Sequence, residues 1–411
     1  MEWREYKLSQ VATLTTGYPF DGHKYDKEGI RVVRGDNVTI GKLRWDTDKD
    51  KRWNEQFDRA SEYSLSADDI VIGMDGSRVG KNRAQVKQED LPLFIAQRVA
   101  CVRNNSLSEQ AFLYYQIFSD RFENYIKSVQ TGTSIPHVSL KQIGDFPILL
   151  PSTEVQRKIA SILKSLDDKI ENNRKINENL EQQAQVLFKS WFVDFEPFRD
   201  QPFVESELGM IPEGWRVGTI GDYCKIRSGF AFKSSWWTES GCKVIKIKNI
   251  SDNGELDLND CSFVNPDNTK KANEFKATAG DLIIAMTGAT IGKFNIIPKI
   301  KEDYFINQRV GKFFLGDKPL SRLPFIYCIL KRKNTLNVII NKGQGSAQPN
   351  ISGSDIENIP LVVPPVQVID NFNTVLSPLF DMIISNQGEN QSLSQLRDTL
   401  LPKLMSGELK I

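Results

Sequence analysis

Histidine is almost absent from this chain of 411 residues, which contains only His23 and His137. A zinc site takes several nitrogen or sulfur ligands, and histidine is the commonest general base, so neither a zinc site nor histidine-based catalysis is expected. The five cysteines are odd in number and show no Cys-x-x-Cys spacing, which disfavours a disulfide framework as well. The sequence therefore predicts no metal site.

Long apolar runs are also lacking, and none approaches the roughly 20 residues that a transmembrane helix needs. The first residues, Met-Glu-Trp-Arg-Glu, have no apolar core of the secretory kind, so we expect a cytoplasmic protein. The chain also has no excess of charge of either sign, because 53 basic and 52 acidic residues leave a net charge of +1. Any contact with nucleic acid would have to use local basic patches or basic partner proteins.

The chain does contain a long internal repeat, in which residues 2–192 return as residues 214–405. The offset between matching positions drifts only from 211 to 213. The clearest block, Ala67-Asp-Asp-Ile-Val-Ile-Gly-Met-Asp-Gly-Ser-Arg-Val-Gly-Lys81, returns as residues 279–293 with seven of fifteen positions identical. Another, Phe94-Ile-Ala-Gln-Arg-Val99, returns as residues 305–310. A repeat of this length predicts two similar domains in one chain.

Each copy begins with a head in which short segments rich in β-branched residues precede a helical stretch. The strand segments are 31–34, 69–72 and 95–102 in the first head and 244–250, 281–284 and 305–315 in the second. The helical stretches are 107–129 and 323–340. Strands followed by helices predict an α+β fold. The expected domains are a first head at 1–150, a central helix at 151–198, a linker at 199–213, a second head at 214–363 and a C-terminal helix at 364–405.

Each copy ends in a long helix whose apolar residues recur at alternating steps of four and three, which is typical of a coiled-coil seam. Asn173 and Asn177 in the first helix match Asn386 and Asn390 in the second, and polar groups in the middle of a seam specify register. The seam residues expected at helix and subunit interfaces are Leu163, Leu166, Ile170, Leu180, Leu187, Trp191, Leu379, Ile383, Leu393 and Leu400.

The ends and the middle of these helices carry further signals. Thr153 and Gln156 have the spacing of a capping box at the start of the first helix. Pro378 and Gly388 predict a kink or an interruption in the second. Because both helices leave equivalent points of their heads, an antiparallel pairing would relate the heads by a pseudo-twofold axis. Forty helical residues span about 60 Å, so the helices would separate the heads as a rod and suit a split DNA site.

Three stretches strongly resemble the specificity subunit of type I restriction-modification systems. They are Phe146-Pro-Ile-Leu-Leu-Pro-Ser-Thr-Glu-Val-Gln-Arg-Lys-Ile-Ala-Ser-Ile-Leu163, the run Ala-Gln-Val-Leu-Phe-Lys-Ser-Trp-Phe-Val-Asp-Phe-Glu-Pro-Phe at 184–198, and Ser-Glu-Leu-Gly-Met-Ile-Pro-Glu-Gly-Trp at 206–215. The resemblance covers nearly the whole chain. The second copy departs from the family at Gln367-Val368-Ile369, where members usually carry a Glu-Gln pair, so its helix could meet partner subunits differently.

The resemblance implies two target-recognition domains alternating with two long helices, and a chain without catalysis of its own. Each head would read one half of a bipartite, asymmetric target in double-stranded DNA. Two adenine methyltransferase subunits that use S-adenosylmethionine would pack on the helices. Translocase-endonuclease subunits that use ATP and Mg would join them. This chain would hold no cofactor and would contact no membrane.

Two loops in each head carry residues suited to DNA contacts. Arg78 and Arg83 are suited to guanine edges, Asn82 to an adenine edge, and Lys81 and Lys293 to phosphates, while ordinary surface turns remain the alternative. Their glycines would let the backbone approach a phosphate closely. The full set of candidate DNA-binding residues is Ser77, Arg78, Lys81, Asn82, Arg83, Thr133, Ser134, His137, Thr290, Lys293, Asn295, Gln344, Ser346, Gln348 and Asn350.

Catalytic alternatives fail on their spacing. The run Gly76-Ser-Arg-Val-Gly-Lys81 is one residue shorter than a P-loop and lacks the hydroxyl residue after the lysine. Pro266-Asp267 with Glu274-Phe-Lys276 resembles a metal-dependent nuclease core, but the first copy has no counterpart. No Asn-Pro-Pro-Tyr-type tetrapeptide for adenine methylation exists. The competing hypotheses are a self-sufficient DNA-modifying enzyme and a stand-alone coiled-coil DNA-binding or scaffold protein.

Overall fold

A computed structural model of the protein describes residues 3–132, 134–251, 254–343 and 349–411. The chain divides into two compact units. The first joins Met1–Asp167 to Leu396–Ile411, and the second is Asp168–Gln395. Each unit therefore combines one head with parts of both long helices, so the end of the chain packs in the same unit as its beginning.

The first head mixes short strands with short helices, as the α+β prediction required. In chain order its elements and the helix that follows are β1 Arg4–Lys7, α1 Leu8–Val11, β2 Ala12–Thr16, β3 Ile30–Val33, β4 Arg52–Trp53, β5 Ile70–Gly73, β6 Arg83–Gln85, β7 Leu93–Ile95, β8 Val99–Asn104, α2 Gln110–Ile117, α3 Asp120–Val129, α4 Leu140–Gly144, β9 Pro147–Leu150 and α5 Thr153–Phe192.

The linker and the second head follow the same scheme. Their elements are β10 Phe203–Ser206, β11 Gly209–Pro212, β12 Arg216–Thr219, α6 Ile220–Tyr223, β13 Lys225–Ser228, β14 Trp237–Thr238, β15 Cys242–Ile245, β16 Ser262–Val264, β17 Leu282–Ala285, β18 Phe294–Ile296, β19 Tyr304–Ile306, β20 Val310–Phe314, α7 Leu323–Lys331, α8 Lys333–Gly343, α9 Gly353–Glu357, β21 Pro360–Val363 and α10 Val366–Met405.

The sheets of the two heads correspond except for one strand that is added in the second head. The first head pairs β1 with β9 and forms sheets of order β2-β8-β5-β6 and β4-β3-β7. The second pairs β12 with β21 and forms β13-β20-β17-β18 and β14-β16-β15-β19, in which β14 is an addition. One parallel pairing recurs, of β3 with β7 and of β15 with β19. The linker forms the antiparallel hairpin β10-β11.

Some predicted elements are divided in the structure. The strand predicted at 95–102 is wrong as one element, because a turn closed by the Val99 N–H donating to the Ala96 carbonyl at 3.0 Å separates β7 from β8. The helix predicted at 107–129 is two helices, since the Ser119 side chain accepts from the Phe122 N–H and starts α3 as an N-cap. The second head divides its matching segments in the same way, between β19 and β20 and between α7 and α8.

Both long helices contribute to the core of each unit. Leu163 of α5 and Leu404 of α10 are buried in the first unit, in one cluster with Phe112 of the head. Phe188 and Phe372 are buried in the second unit, with ring centroids 5.9 Å apart in an edge-to-face arrangement. Fully burying an aliphatic or aromatic side chain of this size contributes roughly 1.5–3 kcal/mol. Each head is thereby stabilised by segments that lie far apart in the sequence.

The polar residues of the seams pair as an antiparallel coiled coil requires. The Asn173 amide donates to Asn390 Oδ1 at 2.9 Å, and the Asn386 amide donates to Asn177 Oδ1 at 2.8 Å. The predicted antiparallel register is therefore confirmed within the second unit. Among the predicted seam residues Leu163, Ile170 and Ile383 are buried. The others are partly buried, namely Leu166, Leu180, Leu187, Trp191, Leu379, Leu393 and Leu400.

The predicted capping box and the predicted interruption of the second helix are wrong, whereas the kink in the second helix stays a prediction. Helix α5 already begins at Thr153, and the Gln156 side chain does not complete a capping box: its amide donates to the Leu107 and Pro151 carbonyls. Helix α10 continues without interruption past Pro378 and Gly388. A Cβ on Gly388 would lie 2.5 Å from the Lys299 carbonyl oxygen, so the glycine permits a close approach of the second head instead of ending the helix.

Candidate nucleic-acid interface

Three surface segments of the first head meet at the ends of its strands. They are the glycine loop between β5 and β6, the turn between β7 and β8, and the loop between α3 and α4. The Met74 N–H donates to the Arg98 carbonyl at 3.1 Å, which joins the loop to the turn. The Gly76 N–H donates to the Pro136 carbonyl at 2.9 Å and joins it to the third segment. Backbone hydrogen bonds thus assemble one continuous surface from segments about 60 residues apart in sequence.

The second head builds the same surface with equivalent hydrogen bonds. The Met286 N–H donates to the Arg309 carbonyl at 3.1 Å, and the Gly288 N–H donates to the Pro349 carbonyl at 2.9 Å. The Ile351 N–H returns a bond to the Met286 carbonyl at 3.0 Å. We call these two surfaces the loop faces of the heads: residues 75–82, 96–98, 130–132 and 134–137 in the first, and residues 287–293, 307–309 and 349–350 in the second.

Most of the described candidate residues lie exposed on the loop faces. The exposed ones are Ser77, Arg78, Lys81, Ser134, His137 and Asn350, and the partly exposed ones are Asn82, Thr290 and Lys293. Of these, the Thr290 hydroxyl donates to the Thr287 carbonyl at 2.9 Å within its own loop. The predictions for Thr133, Gln344, Ser346 and Gln348 lie outside the described residues.

Arg83 is a structural residue, so its prediction as a guanine contact is corrected. Its side chain is 8% exposed, and its guanidinium lies 5.5 Å from the centroid of the Phe118 ring. It donates to the Phe118 and Ser119 carbonyls at 3.4 Å each, where α2 ends and the helix dipole favours a cation. Burial lowers the pKa of Arg83 from its ordinary value, although Glu123 opposes that shift.

Asn295 occupies the position of Arg83 in the second head and is corrected for the same reason. It lies in β18 and is 1% exposed, so it does not reach the loop face. Neither polar atom of its side chain has a hydrogen-bond partner among the described residues. The shorter amide cannot span the distance that the Arg83 side chain covers in the first head.

The glycines of the loops serve the fold. Gly76 and Gly288 have φ of 102° and 70°, which a residue with a Cβ rarely adopts, and their N–H groups are used within the loop face. Gly80 and Gly292 have φ of 84° and 87°, and a Cβ there would press on the helices beneath. The glycines therefore have a conformational role, and the close approach of the backbone to a phosphate stays a prediction.

The turn between β7 and β8 adds residues that the sequence reasoning missed. Gln97 and Arg98 are exposed at the centre of the loop face, and Gln308 and Arg309 take the same places in the second head. The signal was present, since a Gln-Arg pair recurs within an otherwise apolar segment of both copies. It was hidden because the segment was interpreted as one strand. Arginine and glutamine are side chains that bind base edges and phosphates in DNA.

The two loop faces differ in charge. Arg98 forms an ion pair with Asp75 at 3.4 Å. Thr287 replaces that aspartate in the second head, and within the described ranges Arg309 has no acidic partner. Arg78 is likewise without an ion pair there, whereas the half-exposed Lys81 lies 3.6 Å from the largely buried Glu123. The faces therefore present different donors to a ligand.

The two charged residues Glu274 and Lys276, which resemble part of a metal-dependent nuclease core, form ion pairs with other residues. Glu274 forms an ion pair with Arg227, and Lys276 with Asp303 at 2.8 Å. In the part of the chain that the structure describes, no cluster of three or more His, Cys, Asp and Glu side chains could hold a metal ion. Within the same part, no helix is both long and apolar enough to cross a membrane.

The family model and the similar proteins of known sequence all belong to one family. The sequence model of the type I restriction modification DNA specificity domain matches residues 1–182 and again residues 212–395. The type I restriction enzyme MjaIX specificity subunit of Methanocaldococcus jannaschii is 32% identical over 308 residues, covering 73% of this chain and 69% of the relative. The HindI specificity subunit of Haemophilus influenzae is 24% identical over 474 residues, covering 99% of this chain and all of the relative.

A solved structure shares the fold. The crystal structure of a type I restriction-modification S subunit from M. genitalium aligns with a TM-score of 0.56 and 17% identity, over 98% of this chain and 96% of that one. The family matches cover both heads together with parts of the helices that follow them. This chain therefore belongs to the type I restriction-modification DNA specificity family and is a DNA sequence-specificity subunit.

Proposed function

We propose that the chain reads a bipartite, asymmetric target in double-stranded DNA, one half with each loop face. The observation that carries this proposal is the loop face itself, which recurs in both heads with the same backbone bonds and different side chains. Arg78 of the first face corresponds to Thr290 of the second, and Asp75 to Thr287. Since different donors and acceptors recognise different bases, the two half-sites differ in sequence.

Selection from a random duplex library tests this proposal. The full-length chain is incubated with the library, bound duplexes are recovered and amplified, and the enriched sequences are read. The expected motif has two unlike half-sites at a fixed spacing. Enrichment of one uninterrupted motif, or of a palindrome, would contradict the proposal.

We further infer that the chain chooses the sequence while partner subunits perform the chemistry. Two adenine methyltransferase subunits would hold S-adenosylmethionine and pack on α5 and α10, where seven of the predicted seam residues remain only partly buried. Restriction subunits that translocate and cleave DNA would supply the sites for ATP and Mg. The assembly would work in the cytoplasm, and this chain would hold no cofactor.

Purification of the tagged full-length chain from its host distinguishes this arrangement from the alternatives. Native mass measurement should give the chain with two copies of one methyltransferase, and the assembly should transfer methyl groups from S-adenosylmethionine to DNA while the chain alone does not. Methyl transfer by the chain alone would favour a self-sufficient modifying enzyme. Recovery of DNA-binding chain without a methyltransferase would favour a stand-alone coiled-coil protein.

A further inference from the structure

The second head is attached to the two long helices by a set of contacts that we call the brace. Its centre is Glu255, on the turn that follows β15, with a side chain 17% exposed. The Arg174 guanidinium of α5 lies 2.7 Å from Glu255 Oε2, and the Asn390 amide of α10 donates to Oε1 at 2.9 Å. One carboxylate therefore connects the head to both helices at once.

Glutamine side chains of α10 continue the brace on either side of Glu255. The Gln387 amide donates to the Gly254 carbonyl at 3.1 Å, and the Gln391 amide donates to the Leu256 carbonyl at 2.6 Å. These bonds end on the backbone of the turn. The two carbonyls lie on either side of Glu255, and the two glutamines lie one helical turn apart on α10.

A second attachment point lies at Lys299, which belongs to the brace as well. Its N–H donates to the Ile384 carbonyl at 3.3 Å, and its ammonium donates to the Ser385 hydroxyl at 2.9 Å. The same ammonium lies 3.3 Å from Asp381. Close approach is possible because Gly388 has no Cβ that would meet the Lys299 carbonyl. The glycine in the middle of α10 is thus explained by this contact.

The key residues of the brace are not repeated in the first copy of the sequence. In the repeat, Lys42 stands where the second head has Glu255, and Lys175 stands where α10 has Gly388. The matching turn of the first head is bonded to its own sheet, with the Gly41 N–H donating to the Arg83 carbonyl at 2.9 Å. Both turns keep a glycine at φ of 80°, so they share a conformation while differing in what they contact.

We propose that the brace positions the second reading head on the helices and so fixes the number of base pairs between the half-sites. The inference rests on the proposed function. Glu255, Lys299 and Gly388 are positioning residues, since none of them belongs to the loop face at residues 287–293, 307–309 and 349–350. Loosening the brace would change where the second head stands and leave unchanged which bases it reads.

The test measures binding of the full-length chain to duplexes that carry the selected half-sites at the selected spacing and at spacings one or two base pairs shorter or longer. Glu255→Ala removes the link to both helices. We expect it to reduce the preference for the correct spacing by roughly five- to tenfold, the equivalent of about one hydrogen bond. Base preferences within each half-site should stay the same. Lys42→Ala, at the matching position of the first head, is the control and should keep the preference of the parent chain.

Two further variants separate positioning from simple destabilisation. Gly388→Ala presses a methyl group against Lys299 and should relax the spacing in the same way as Glu255→Ala. Reversing the charges with Arg174→Glu and Glu255→Arg together should restore part of the preference that either change alone removes. Melting curves of every variant establish that it is folded before binding is measured.

The possible results distinguish a failure of the proposed function from a failure of the brace proposal. If the parent chain enriches no split duplex, the proposed function fails. If the parent chain does so and both Glu255→Ala and Gly388→Ala keep its spacing preference, the brace proposal is overturned while the proposed function stands. A loss of base preference in Glu255→Ala would also overturn it, because Glu255 would then act through the loop face.

Discussion

The side-chain amide of Asn173 donates to Oδ1 of Asn390 at 2.9 Å, between two residues that are 0% and 3% exposed. A buried polar pair of this kind fixes the register of two helices, because a slide by one turn would break the bond between the two buried amides. Asn173 also donates to Glu389 at 2.7 Å. The middle of the coiled coil is therefore specified by hydrogen bonds as well as by apolar packing.

Removing both members of this pair should cost less than the two single changes added together. Asn173→Leu leaves Asn390 Oδ1 buried without a donor, and we expect it to lower the free energy of unfolding by about 1–3 kcal/mol. Asn173→Leu with Asn390→Leu should lose less than the sum of the single changes, since no donor or acceptor of the pair is left over. Urea unfolding of the three variants checks this. Additive losses would show that the two amides are energetically independent.

Arg78 and Lys81 should affect DNA binding in different ways. Arg78→Ala should weaken specific binding by about 1–3 kcal/mol and relax base preference in one half-site, because an exposed arginine can bind a base edge. Lys81→Ala should weaken all sequences alike and lower the salt slope of binding by about one, as loss of a phosphate contact does. Titrations at several salt concentrations measure both effects. Unchanged affinity of both variants would move the search to Arg98 and to the loop at 130–137.

Arg83→Ala should destabilise the first head and leave base preference as it is. The change removes two hydrogen bonds to the end of α2 and the packing on Phe118, which together should cost about 1–3 kcal/mol of the free energy of unfolding. Arg83→Met keeps part of the packing and should lose less. Chemical unfolding gives the stability of each variant, and library selection gives its motif. An altered half-site in a stable Arg83 variant would restore Arg83 as a DNA contact.

The length of the helices should set the spacing of the target. Both α5 and α10 are continuous, so one heptad inserted after Asp167 and another after Gln395 would extend both helices and keep the seams in step. Seven residues add about 10 Å to a helix, which is the rise of about three base pairs. Library selection should return the same half-sites with a longer spacer. An active variant with the original spacer would show that another feature sets the distance.

The sequence predicted those features that depend on periodicity and repetition. The two heads, the α+β order and the pairing of Asn173 and Asn177 with the second helix follow from patterns that are local or duplicated. The burial of Arg83 could not be predicted, because the carbonyls that it binds belong to a helix end about 35 residues away. Gly388 was misinterpreted for a similar reason: its close contact with Lys299 exists only in the folded chain.

The missed Gln97-Arg98 and Gln308-Arg309 pairs illustrate a different limit. A turn of three residues inside an apolar run leaves little local signal, since Val99 and Ala100 continue the apolar pattern beyond it. The backbone bond from the Met74 N–H to the Arg98 carbonyl and the ion pair of Arg98 with Asp75 show that this turn lies beside the glycine loop. Candidate sites formed from several segments depend on such contacts, which composition and spacing do not encode.

The most direct test of the central claim is the map of methylated adenines in host cells with and without the gene for this chain. Two heads with unlike loop faces predict one methylated motif of two different half-sites at a fixed spacing, present with the gene and absent without it. A palindromic or uninterrupted motif that depends on the gene, or a methylation pattern that the deletion leaves unchanged, would contradict the account.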